Sequence, residues 1–204
     1  MTVTELKQIS AEQYTVTFSN GVSVKTTLAV VADYSLYSGR ELTDEEYAAV
    51  SSASALARCR ERAMKLIGLR PYGERELYDK LVEKGESEAN AADTIAWLLR
   101  MHMLDDHEYA AMLVRHYAAK GYGRRRICDE FYRRRLPREL WDEALEQMPE
   151  QDGEIDRFLS ARLKGGTDRA ALKKATDALL RRGFSWEEIH SAVARYNSEI
   201  EEDY

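Results

Sequence analysis

The chain has 204 residues, of which 44% are hydrophobic and 32% charged, and its formal net charge is −6. This composition excludes disordered and collagen-like proteins, and the negative charge argues against a protein that holds nucleic acid through bulk positive potential. The longest uncharged stretch, residues 13–24, has 12 residues, whereas a membrane helix needs about 20 apolar ones. With no basic segment followed by an apolar run at the N-terminus, we expect a cytoplasmic protein.

The first 26 residues alternate between apolar and polar side chains as in β-strands. Tyr14, Val16 and Phe18 share one face, and Asn20-Gly21 predicts a type I′ turn with two positive φ angles. We therefore predict strands near 13–19 and 22–26 and a third strand at 3–9. A short helix over 28–34 would cover this small sheet, because an isolated hairpin is marginal in water.

The rest of the chain carries signals of helix starts and ends. Capping boxes are predicted at Thr43–Glu46, Asp105–Glu108 and Ser185–Glu188, and Gly85, Gly121 and Gly183 stand where helices should stop. These signals predict helices over 45–67, 73–84, 88–102, 106–120, 123–135, 138–148, 152–164, 168–182 and 186–200.

The helices repeat with a period of about 50 residues. Leu77 and Leu81 before Gly85 align with Ile127 and Phe131, and again with Ala175 and Leu179 before Gly183. We predict a mainly α fold in which three tandem three-helix repeats stack into an elongated curved array, after a small N-terminal β-hairpin segment. The predicted domains are the extension (1–45) and repeats 46–104, 105–149 and 150–204, the last with an acidic tail of Glu199, Glu201, Glu202 and Asp203.

Signatures of catalysis are absent from the sequence. The four histidines and two cysteines (Cys59 and Cys128) form no metal-binding spacing, and no phosphate-binding loop or nucleophile elbow is present. We expect no metal site, no cofactor and no enzymatic activity, with both cysteines serving as small apolar residues.

Positive charge is concentrated in the middle of the chain. Residues 115–138 contain nine Lys or Arg and two acids, whereas residues 139–156 contain eight acids and no base. Arginine forks bind phosphates and carboxylates, so we predict a surface for nucleic acid or an acidic partner, although i,i+4 pairs such as Arg126–Glu130 would also suit a salt-bridged solvent face. The candidate binding residues are Arg124, Arg125, Arg126, Arg133, Arg134, Arg135, Lys173, Lys174, Arg181, Arg182, Arg70 and Arg75.

Three groups of motifs resemble the RecX family of bacterial regulators of the RecA recombinase. These motifs are Arg70-Pro71 through Leu77, Leu81 and Gly85 with Leu104-Asp105-Asp106; Lys120-Gly121 with Arg124 and Ile127; and Leu179 through Ser185 with Ile189. The resemblance spans about residues 55–197. It implies a non-enzymatic protein that binds the RecA–single-stranded DNA filament in its groove and depresses ATP hydrolysis, strand exchange and co-protease action, thereby modulating recombination, DNA repair and the SOS response.

Two other functions remain open at the level of sequence. The same arginine helix could serve a stand-alone nucleic-acid-binding protein, and the sequence leaves open whether the filament regulator also binds DNA weakly by itself. The chain could also be an adaptor between two proteins with no DNA contact. Salt dependence of DNA binding separates these classes, because release of counterions is the signature of phosphate contacts.

Overall fold

The computed structural model describes residues 1–164, 166 and 168–202. The chain divides into two units, Met1–Leu104 and Asp105–Tyr204. Asp203 of the predicted acidic tail lies outside the described residues, as do the side chains of Glu199, Glu201 and Glu202.

The first unit begins with a three-stranded antiparallel sheet in the order β1-β2-β3, which confirms the predicted β segment. The strands are β1 (Val3–Gln8), β2 (Gln13–Phe18) and β3 (Ser23–Thr27). In the register, Leu6, Val16 and Val24 lie opposite one another. Because side chains alternate between faces, this register places Val16 and Phe18 in a core with Val50 of the following long helix.

The turn between β2 and β3 differs from the predicted type I′ turn. Only Gly21 has a positive φ (81°); Asn20 does not. The Gly21 amide donates to the Phe18 carbonyl (2.9 Å), and the Val22 amide donates to Asn20 Oδ1 (3.0 Å). The Asn20 side chain thus closes a three-residue loop that ends on a left-handed glycine, which is an alternative way of joining two twisted strands.

Four α-helices complete the first unit. They are α1 (Leu28–Asp33), α2 (Asp44–Ile67), α3 (Glu74–Glu83) and α4 (Glu88–Arg100). Both hydrogen bonds of the predicted capping box are present at the start of α2, where the Glu46 amide donates to Thr43 Oγ1 (3.1 Å) and the Thr43 amide to Glu46 Oε2 (2.9 Å). This closure is also why the pKa of Glu46 lies below its ordinary value, with Arg40 adding to the effect.

Six α-helices and one 3-10 turn form the described part of the second unit. They are α5 (Asp106–Ala118), α6 (Arg124–Arg133), the 3-10 turn Arg138–Leu140, α7 (Trp141–Glu146), α8 (Asp152–Leu163), α9 (Arg169–Arg181) and α10 (Trp186–Glu202). The predicted helix 138–148 was wrong at both ends. Its first turn is a tighter 3-10 turn after Pro137, whose carbonyl accepts from the Leu140 amide (3.2 Å), and α7 ends at Glu146.

The repeat pattern read from the sequence corresponds to equivalent core positions. Its three pairs, Leu77 and Leu81, Ile127 and Phe131, and Ala175 and Leu179, are all fully buried. Each pair lies in a separate apolar cluster, and each cluster is built by consecutive helices. The mainly α fold with helical repeats and a small N-terminal sheet is therefore confirmed. Within the described residues, no helix combines the length and apolarity that crossing a bilayer requires.

Candidate functional site

A pocket of about 720 Å³ in the second unit collects four of the predicted arginines. It lies between the first half of α6 and the loop that joins α9 to α10. Its lining is Arg124, Arg125, Arg126, Cys128, Asp129, Leu180, Arg181, Gly183, Ser185 and Glu188. We call it the basic pocket.

Two glycines allow the elements around the basic pocket to approach each other at backbone distance. The Gly123 amide donates to the Arg182 carbonyl (2.9 Å), and the Arg125 amide donates to the Gly183 carbonyl (3.1 Å). A Cβ added to Gly123 would lie 2.5 Å from the Gly183 carbonyl oxygen, and one added to Gly183 would lie 2.3 Å from the Arg126 nitrogen. Real Cβ atoms do not tolerate such distances, so the two loops need glycine at both positions.

The electrostatics of the basic pocket are positive. Arg125 and Arg181 are exposed, and their guanidinium groups have no ion-pair partner among the described residues. Arg124 Nη2 lies 3.3 Å from Asp142 Oδ1, but that carboxylate is 91% exposed, so water screens the pair strongly. Because α6 also begins here, its positive end adds to the potential.

Two acids line the same pocket. One carboxylate oxygen of Glu188 is already hydrogen-bonded, because Oε2 accepts from the Ser185 amide (2.6 Å) in the predicted capping box of α10. Asp129 is exposed and also lines the pocket. Four arginines against two acids leave an excess of positive charge that suits an anionic ligand.

Two other predicted arginines, Arg133 and Arg134, contact a buried carboxylate together with Arg126 of the basic pocket. The Glu130 side chain is only 3% exposed, and its oxygens lie 2.9 Å from Arg133 Nη1, 3.5 Å from Arg126 Nη2 and 3.7 Å from Arg134 Nε. Arg134 Nη1 also donates to the Tyr109 hydroxyl (2.7 Å). This Glu130 cluster is the salt-bridged alternative foreseen for part of the arginine run, and Arg126 belongs to both the cluster and the basic pocket.

The remaining predicted residues of the second unit lie outside the basic pocket. Lys173 and Lys174 are exposed on the first half of α9. Arg182 is half-buried, with its guanidinium 4.8 Å from the Phe158 ring. Arg135 follows α6 in a left-handed conformation with φ of 56°. The structure thus does not join these four residues with the pocket arginines.

Arg70 and Arg75 belong to the first unit, where both are engaged locally. The Arg70 guanidinium lies 3.6 Å from the Tyr72 ring centre and donates to both carboxylate oxygens of Glu76 (2.8 and 3.2 Å). Arg75 Nε lies 3.1 Å from Asp79 Oδ1. These contacts give both residues a local structural role.

Sequence reasoning missed two features of these surfaces. Trp186 follows the pocket residue Ser185 and is 60% exposed. Its residue type alone would have predicted a buried position. Arg58, Arg62 and Lys65 line a second, smaller cavity in the first unit. Their spacing of four and three residues could have indicated a basic helix face.

The basic pocket carries no sign of nucleophilic chemistry. Partial burial raises the pKa of the Cys128 thiol, and burial likewise raises that of Cys59. A raised thiol pKa leaves little thiolate at neutral pH, and thiolate is the reactive form. Among the described residues, no group of three or more His, Cys, Asp or Glu side chains could hold a metal ion.

Two segments of the chain match known protein-family domains. Residues 59–98 match the first three-helix domain of RecX, and residues 105–145 match the second. The regulatory protein RecX of Vibrio campbellii is 33% identical over 138 residues, which cover 66% of this chain and 89% of that protein. The chain belongs to the RecX family.

Other members differ more in sequence but keep the fold. RecX of Caldanaerobacter subterraneus subsp. tengcongensis is 25% identical over 155 residues, which cover 76% of this chain and 79% of that protein. A crystal structure of regulatory protein RecX superposes with a TM-score of 0.69 at 20% identity, covering 95% of this chain and 98% of that one. The crystal structure of RecX from Lactobacillus salivarius superposes with a TM-score of 0.61 at 19% identity, covering 71% of this chain and 98% of that one. The RecX family consists of regulatory proteins, as the sequence motifs had indicated.

Proposed function

We propose that this RecX-family chain is a non-enzymatic regulator of RecA. It binds the RecA–single-stranded DNA filament in the filament groove and inhibits ATP hydrolysis, strand exchange and co-protease action. Family membership supports the regulatory role, and the basic pocket is the observation that supports an anionic contact. The three repeats, 46–104, 105–149 and 150–204, are the proposed units of the binding surface.

The charge distribution suits a partner made of protein and DNA together. A chain with a net charge of −6 gains little from DNA alone. A local excess of arginine, with two guanidinium groups free of ion pairs, can still contact phosphates or acidic side chains once other surfaces hold the chain on the filament. The basic pocket therefore adds affinity and orientation at the filament rather than general DNA binding.

The test replaces pocket arginines that do not support the fold. The variant R124Q/R125Q/R181Q removes three positive charges and leaves the Glu130 cluster intact. The control K84Q/R100Q/R162Q removes three exposed charges that do not line the basic pocket. We expect the pocket variant to need at least about tenfold more protein for half-inhibition of the RecA ATPase, because each lost charged hydrogen bond weakens binding. The control should inhibit like the wild type.

Two results would contradict this assignment. Undiminished inhibition by the folded pocket variant would remove the basic pocket from the interface. Tight, steeply salt-dependent binding to DNA without RecA would favour the stand-alone nucleic-acid-binding alternative.

A further inference from the structure

A second basic cavity lies in the first unit, between strand β3 and helix α2. Its volume is about 280 Å³, and its charged lining consists of Lys25, Arg58, Glu61, Arg62 and Lys65. We call it the N-terminal cleft. The sheet that supplies Lys25 lies outside both segments that match the RecX domains, so neither match assigns a role to it.

Helix geometry explains why the α2 residues share one wall of the cleft. Arg58, Glu61, Arg62 and Lys65 follow one another at spacings of three, one and three residues, which places them on a single helix face. The opposite wall of the cleft consists of Lys25, Thr26 and Thr27 of β3, of which Thr26 is buried and hydrogen-bonded to Ser54 of α2 (2.9 Å). That buried contact fixes the spacing between the two walls.

The contacts of each charged group show which charges are available. Lys65 Nζ lies 2.6 Å from Glu61 Oε1, which also accepts from Nε2 of the Gln13 side chain. Arg62 Nε lies 3.0 Å from Glu86 Oε1. Lys25 and Arg58 are exposed, and their charged groups have no ion-pair partner among the described residues. The cleft therefore presents two uncompensated positive charges, one from the sheet and one from the helix.

We propose that the N-terminal cleft binds a phosphate group. A guanidinium donates in a planar fork and an ammonium acts as a point charge, so Arg58 and Lys25 together suit a tetrahedral anion held from two sides. The volume lies just below the range of about 300 to 1,000 Å³ that holds drug-sized ligands. A phosphate with its first waters fits this space better than a complete nucleotide, whose base and sugar would lie outside.

Two sources can supply that phosphate, namely free phosphate or the phosphodiester backbone of a nucleic acid. The full chain, labelled with nitrogen-15, is titrated in separate NMR experiments with inorganic phosphate and with a short oligodeoxythymidylate. We expect saturable shifts of the Lys25 and Arg58 amides with at least one probe. Shifts with both probes identify free phosphate as a sufficient ligand, and shifts with the oligonucleotide alone identify the backbone.

Matched variants locate the site. In K25Q/R58Q the affinity for the probe, measured from the chemical shifts of residues 25 and 58, should fall at least about tenfold, because two charged hydrogen bonds are lost. In R100Q/K84Q, which removes two exposed side-chain charges of the same unit that do not line the cleft, this affinity should not change. Absence of shifts with both probes, or equal affinity in folded K25Q/R58Q, would overturn the proposal. Neither result depends on RecA, so the proposed function is tested separately.

Discussion

At the residue scale, the arginines between positions 124 and 134 form two groups with different contacts, and Arg126 belongs to both. Arg124 and Arg125 point into the basic pocket, whereas Arg133 and Arg134 compensate the buried Glu130. A buried carboxylate is stable only with partners, because its desolvation is expensive. In the sequence both groups appear as a single run of arginines. They are distinguished only by the burial of Glu130, which the sequence does not show.

We predict that Glu130→Gln destabilises the fold strongly. The change leaves the half-buried Arg134 and Arg126 without their shared anion, and breaking a buried ion pair typically costs about 3 to 5 kcal/mol. Urea unfolding followed by circular dichroism measures the loss. The exposed neighbour Asp129→Asn is the control and should change the free energy of unfolding by less than about 0.5 kcal/mol. Equal stabilities of the two variants would contradict the structural role of Glu130.

The capping box of α2 predicts a dependence of stability on pH. Since the folded pKa of Glu46 is lowered, chiefly by its bond from the Thr43 amide, the ionised form stabilises the fold. This contribution is fully present above the ordinary pKa of 4.5 and is lost as the pH falls through the lower folded value. Unfolding free energies of the wild type and Glu46→Gln between pH 3 and pH 7 should therefore converge at the acidic end. A difference that is constant with pH would refute this role.

At the element scale, the loops before α6 and before α10 are held together by backbone contacts. The approach of Gly123 to Gly183 links segments about 60 residues apart, and it sets where Arg124 and Arg125 stand relative to Arg181. The relative positions of the pocket arginines therefore depend on both loops.

Gly123→Ala should disrupt this contact. A Cβ at 2.5 Å from the Gly183 carbonyl forces the loops apart, and backbone displacements of this kind destabilise by about 1 to 3 kcal/mol. Gly153→Ala in α8 is a matched control, because its Cβ would meet no atom within 4 Å and alanine favours a helix by about 0.5 to 1 kcal/mol. Thermal unfolding should show opposite shifts of Tm, and a stable Gly123→Ala protein would disprove the close packing.

Local signals of the sequence were sufficient to predict most elements. Caps at Thr43 and Ser185 and the buried pair Leu77 and Leu81 follow from spacing alone, because short-range geometry governs them. The turn at Asn20 was predicted wrongly because its side chain supplies a hydrogen bond that the dipeptide does not reveal. The basic pocket was predicted only as separate charges, since its assembly depends on two loops far apart in sequence.

At the scale of the whole molecule, charge is separated along the chain. The net charge is −6, yet the arginine-rich residues 115–138 precede an entirely acidic stretch at 139–156. We expect such a distribution to disfavour general binding to DNA and to suit an oriented contact with a partner that offers both acidic and basic surfaces. The RecA–DNA filament is the partner that we propose.

The proposed regulation of RecA is tested most directly by the single-stranded-DNA-dependent ATPase rate of the cognate RecA. The folded chain is titrated from well below one copy per RecA monomer to an excess. We predict a fall in the rate; a fall at substoichiometric amounts would indicate action at filament ends or through filament collapse, and a fall near equal amounts would indicate occupancy of the groove. An unchanged rate at full excess would contradict the proposed inhibition.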